Sequence, residues 1–103
     1  MSKMIKHIVF WKVKDECDGQ SKAEIMQQMK QMLEHCGRVI PGVVELEVAL
    51  PSPGLETTFD VALYSIFESK EALDGYAIHP EHEVAKAYIG KVRTARECMD
   101  YAV

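Results

Sequence analysis

The sequence predicts an α+β fold: a ferredoxin-like sandwich with a four-stranded antiparallel sheet and helices on one face. Two observations carry this expectation. Apolar residues alternate with period two in four segments and recur at helical spacing between them, in the order β-α-β-β-α-α-β. The first and third strands also hold apolar residues on both faces, so a helical layer on one side leaves a second apolar face to cover. Residues 1–103 read as a single domain without repeats, low-complexity segments or linkers.

Met4 to Lys14 is the first strand. Ile5, His7, Val9, Trp11 and Val13 share one face, and Met4, Lys6, Ile8, Phe10 and Lys12 share the other. Asp15 to Gln20 is a polar turn containing Gly19. Ser21-Lys22-Ala23-Glu24 is a capping box, in which the serine caps the first turn and Glu24 reaches back to the serine amide. Ile25, Met29, Met32, Leu33 and Cys36 then follow at helical spacing, with Gly37 as the expected stop.

Ile40-Pro41-Gly42 turns the chain into a strand from Val43 to Leu50, with Val44, Leu46, Val48 and Leu50 on one face. After a Pro-Ser-Pro-Gly loop, Phe59 to Glu68 is the third strand. Phe59, Val61, Leu63 and Phe67 form one of its faces, and Ala62, Tyr64 and Ile66 form the other. Ser69 caps a short helix through Ala77. His79-Pro80 ends it, and Pro80 suits the first position of a new helix carrying Val84, Ala87 and Tyr88. Gly90 is the expected stop, and Val92 to Tyr101 is the last strand. A second copy covering the apolar face of Ile8 and Phe10 is the economical solution, which predicts a homodimer through the open sheet face.

Composition excludes several classes. With 48% hydrophobic and 27% charged residues the chain has the balance of an ordinary globular domain. A net charge of −4 without any basic block argues against nucleic acid or an anionic membrane as partner. The N-terminal residues lack the apolar core of a signal peptide, and no apolar run reaches the ~18 residues of a spanning helix. The expected location is the cytoplasm. Three widely spaced cysteines, Cys17, Cys36 and Cys98, fit neither a disulfide framework nor a Cys-x-x-Cys pair. Cys36 and Cys98 read as packing residues, and Cys17 as the exposed thiol.

The chemistry concentrates at Asp74-Gly75-Tyr76-Ala77-Ile78-His79-Pro80-Glu81-His82. This helix–proline–helix corner holds two of the four histidines and one of the four tyrosines. Histidine titrates near neutral pH and a phenol donates or accepts a hydrogen bond, so Tyr76 and His82 suit proton transfer on a small molecule. His7 interrupts an otherwise apolar strand face.

Lys6-His7-Ile8-Val9-Phe10-Trp11-Lys12, Phe67-Glu68-Ser69, Tyr76, His79-Pro80-Glu81-His82 and the final Asp100-Tyr101 together resemble the stress-responsive A/B barrel domain, Dabb, over essentially the whole chain. The resemblance implies a dimeric α+β barrel and no single activity. A plant polyketide cyclase of that family, which makes olivetolic acid, places a tyrosine and a histidine from this corner in a pocket beneath the helices. The matching positions are Tyr76 and His82, and His7 matches a further pocket histidine. Another pocket histidine of the cyclase has no counterpart here, where the third strand opens Phe59-Asp60-Val61-Ala62.

Two readings follow. In one, Trp11, Val9 and Phe67 form an apolar wall, His7 lines the pocket, Tyr76 polarises a carbonyl oxygen and His82 takes the proton. The protein is then a cyclase, isomerase or lyase that needs no cofactor. In the other, it is a non-catalytic homodimer in which His82 bonds a main-chain carbonyl and Tyr76 covers the core. His79 reads as structural, and His35 as a partner of the last carbonyls of its helix. No metal or cofactor is expected: His7, His82 and Glu81 lack a ligand spacing, and the sequence has no Gly-rich phosphate loop or nucleophile elbow.

Overall fold

The computed structural model describes residues 3–103; Met1 and Ser2, included in the domain read from the sequence, lie outside the described residues. The chain runs β1 (Ile5–Val13), β2 (Glu16–Cys17), β3 (Gln20–Ser21), α1 (Lys22–Val39), β4 (Val43–Ala49), β5 (Val61–Phe67), α2 (Lys70–Ile78), α3 (Pro80–Val92) and β6 (Arg93–Ala102). The four long strands form one sheet in the order β4-β5-β1-β6, with every neighbouring pair antiparallel. This is the ferredoxin-like α+β architecture that the element order predicts.

The core lies between the sheet and the helical layer. Val9, Trp11 and Val13 of β1 and Val61, Leu63 and Phe67 of β5 are buried against Ile25, Met29, Leu33 and Cys36 of α1. At roughly 1.5–3 kcal/mol for each large apolar side chain removed from water, this face dominates the stability of the fold. Ser65 is the buried polar exception. Its Oγ donates to the His7 carbonyl at 2.7 Å, which offsets its desolvation.

The capping box forms as expected. Ser21 accepts from the Glu24 amide at 3.2 Å, and Glu24 accepts from the Ser21 amide at 2.9 Å. The helix does not stop at Gly37, however, and continues to Val39. A Cβ at position 37 would stand 3.0 Å from the Leu46 side chain, so this glycine permits close approach of α1 to β4. Gly42 does act at a turn: its φ of +87° is left-handed, and an added Cβ would come within 2.6 Å of the Ala72 Cβ.

Other local readings shift for physical reasons. A bulge between Val43 and Glu45 changes the phase of β4, so Val44 is exposed while Leu46 and Val48 face the helices. The polar turn from Asp15 becomes the small β2–β3 hairpin, closed by Asp18 and Gly19 at positive φ. The buried face of α3 is Ala85, Ile89 and Val92, not Val84, Ala87 and Tyr88, and the helix passes through Gly90. The thiols differ as well. Cys36 is buried, Cys17 half-buried, and Cys98 on the edge strand is exposed. His35 turns from its own helix end to Glu81, with Nε2 to Oε2 at 3.2 Å. No helix among the described residues is long and apolar enough to cross a membrane.

Candidate functional site

The helical corner is built by His79. Its backbone amide closes α2 on the Tyr76 carbonyl at 3.2 Å, and its Nδ1 accepts from the Glu81 amide at 3.1 Å to cap α3. Pro80 follows at the first helical position, where its missing N–H costs nothing. One residue therefore ends one helix and starts the next. As a result the chain folds back and sets Tyr76 of α2 against His82 of α3, with ring centroids 4.4 Å apart.

Between these helices and the β1–β6 side of the sheet lies a cavity of about 680 Å³. Its wall includes His7, Val9, Trp11, Tyr76 and His82. Phe67 is a correction. It lies outside the wall, fully buried and in edge-on contact with Tyr76 at 4.9 Å between centroids.

His82 is half-buried, and its Nδ1 lies 3.2 Å from the Ala77 carbonyl oxygen. A carbonyl only accepts, so Nδ1 carries the hydrogen and Nε2 keeps its lone pair. Burial holds the imidazole pKa below its ordinary 6.5, against the smaller opposing effect of the Ala77 carbonyl. His82 is accordingly a neutral ring at pH 7, with a defined tautomer. Tyr76 is buried and its hydroxyl has no hydrogen-bond partner among the described residues. Burial pushes its pKa well up, and the nearby Cys36 acts in the same direction, so the phenol keeps its proton and remains a donor.

His7 joins the wall from β1. It sits directly across from Asp100 on β6, and its Nδ1 donates to the Asp100 carboxylate at 2.5 Å. The Asp100 position follows from the strand register, which the separation of 93 residues conceals in the sequence. The remaining polar lining was given no site role by sequence reasoning, although Asp74 opens the stretch that holds Tyr76 and His82. Lys70 and Asp74 on α2, Lys86 on α3, and Arg93 and Arg96 on β6 all contribute to the cavity. Isolated surface charges carry no local signal; only the fold brings them to one opening. No cluster of three or more potential metal ligands occurs among the described residues.

Comparison with known proteins places the chain. Residues 5–103 match the model of the stress responsive A/B barrel domain, and the chain belongs to that family. It is similar to a stress-response A/B barrel domain-containing protein of Arabidopsis thaliana, at 30% identity over 82 residues. That match covers 79% of this chain but only 29% of the Arabidopsis protein. A dimeric protein of unknown function with a ferredoxin-like fold from Bacteroides fragilis is 33% identical, with a TM-score of 0.82 and coverage of 97% of this chain and 96% of that one. The hydroxynitrile lyase of Passiflora edulis shares the fold at a TM-score of 0.77, covering 100% of this chain and 95% of that one; at 18% identity the likeness is one of fold alone.

Proposed function

We propose that this member of the stress responsive A/B barrel family binds a small apolar or aromatic carbonyl compound and performs acid–base chemistry on it without a cofactor, in the manner of a cyclase, isomerase or lyase. One observation carries the reading: an unpartnered, protonated phenol stands beside a neutral imidazole in the wall of a single cavity. The apolar body of the ligand lies along Val9 and Trp11, with His7 beside it. The Tyr76 hydroxyl donates to the carbonyl oxygen. His82 Nε2 removes a proton from the adjacent carbon, and the electron pair of the broken C–H bond moves into an enolate whose oxygen Tyr76 stabilises. The lyase of similar fold supports the view that such a scaffold accommodates catalysis on small molecules.

The functional unit in this reading is a homodimer in the cytoplasm. The sheet face away from the helices carries Ile8, Phe10, Tyr64, Ile66, Met99 and Tyr101, and Met99 is 66% exposed in the single chain. A second copy would cover this patch, and the dimeric state of the Bacteroides fragilis protein supports that arrangement. Three free cysteines suit a reducing compartment.

A second reading has its own observation. His82 Nδ1 is held by a main-chain carbonyl, as it would be in a non-catalytic homodimer with structural histidines. A thermal-shift screen of small aromatic and β-keto compounds against wild type and His82→Ala separates the two. The catalytic reading expects compounds that stabilise wild type, lose that effect in the variant, and show density beside His82. Identical shifts and no density there would favour the structural reading.

A further inference from the structure

We propose that the cavity is selective for an organic anion, a small apolar carboxylic acid whose carboxylate is held at the β6 rim by Arg96 and Arg93. The proposal deepens the ligand-site reading above and rests on it. Four cationic side chains (Lys70, Lys86, Arg93 and Arg96) and two acidic ones (Asp74 and Asp100) line this cavity, in a chain whose net charge is −4. The local excess of positive charge thus opposes the charge of the whole molecule. An opening lined in this way concentrates anions.

The two acidic groups are already engaged. Asp74 is bound by Lys70 at 2.7 Å and Asp100 accepts from His7. Lys86 lies 3.7 Å from Glu83. Arg93 and Arg96 form no ion pair among the described residues, and the contact of Arg96 with the Cys98 sulfur at 3.5 Å leaves most of its donors free. A planar guanidinium matches the two oxygens of a carboxylate.

Strand register places this charge next to the apolar wall. Arg96 is the cross-strand partner of Trp11, and Arg93 that of Val13. Trp11 is 4% exposed, and its indole N–H is buried without a partner. The carboxylate therefore belongs at the β6 rim, with the apolar body running along Trp11 and Val9 toward Tyr76 and His82.

The single tryptophan of the chain lies in the wall, so its emission reports occupancy. Cyclohexylacetate and its neutral amide, which do not absorb with the indole, are titrated into the full chain, into Arg96→Gln and into Arg93→Gln. Both arginines are exposed on β6, and thermal melts check that the variants fold. The expected result is saturable binding of the acid about tenfold tighter than the amide, the scale of one charge-assisted hydrogen bond. That preference should fall toward unity in Arg96→Gln, weaken in Arg93→Gln and decrease with salt. Equal binding of acid and amide to wild type would overturn the anion proposal while leaving the cavity as a ligand site. No response of Trp11 to either compound, with none by calorimetry, would remove the ligand-site reading and this proposal with it.

Discussion

The His82 and Tyr76 rings lie 4.4 Å apart although they belong to different helices, because His79 caps the end of one helix and the start of the next. This corner couples folding to chemistry. The turn that terminates α2 is also the device that sets an imidazole against a phenol. The same packing buries both groups, lowering the histidine pKa and raising that of tyrosine.

Tyr76→Phe separates stability from function. It removes a buried hydroxyl that has no partner. Unfolding by urea should therefore show unchanged or slightly increased stability, by up to about 1 kcal/mol. Affinity for a carbonyl ligand should fall by about tenfold, the scale of one hydrogen bond. A destabilised variant would mean that the hydroxyl has a partner in solution.

Stability should respond to pH through His82. Its pKa is lower in the folded protein than the ordinary 6.5, mainly by burial, with Lys86 and His7 acting in the same direction and the Ala77 carbonyl and Glu83 opposing. The unfolded chain therefore binds the proton more readily in the window just below 6.5. This contribution is fully present above that pH and is lost as pH falls through the window. Comparing unfolding of wild type and His82→Gln across roughly pH 7 to 5 should show a shallower decline in the variant. Parallel curves would contradict the assignment.

Gly42→Ala should destabilise the fold by about 1–3 kcal/mol, because it combines left-handed backbone with a close approach. The new Cβ meets Ala72 at 2.6 Å, so a Gly42→Ala/Ala72→Gly pair should recover part of the loss. Chemical denaturation of the two variants measures both effects.

Ile8→Glu should convert the proposed homodimer to a folded monomer, since Ile8 on the inner strand β1 lies on the open face between Tyr64 of β5 and Met99 of β6. Light scattering after size-exclusion chromatography reads the mass, and circular dichroism reads the fold. A wild-type monomer at micromolar concentration would remove the proposed interface.

The elements that read clearly in the sequence are those with local signals. The capping box at Ser21 and Glu24, the alternation through Val61 to Phe67 and the His79-Pro80 break all act within a few residues. Tyr76 and His82 were legible as a pair for the same reason. The pairing of Asp100 with His7 and the arrival of Arg93 and Arg96 at the cavity were not, because cross-strand register alone brings these residues to His7, Trp11 and the cavity. Gly37 misled for a related reason. A glycine near a helix end reads as a stop, while its close contact with Leu46 exists only after β4 has docked. Phe67 shares the apolar phase of the wall residues, yet it is fully buried against Tyr76 and outside the cavity lining, a distinction that periodicity does not contain.

The imidazole nitrogens of His82 provide the most direct test that it is a neutral base beside Tyr76. Nitrogen-15 NMR of the labelled protein at pH 7 should find its Nδ1 protonated and its Nε2 bearing a lone pair, with titration below 6.5. A ring protonated at Nε2, or one that titrates above 6.5, would contradict the account, because the nitrogen assigned as the base would already hold a proton.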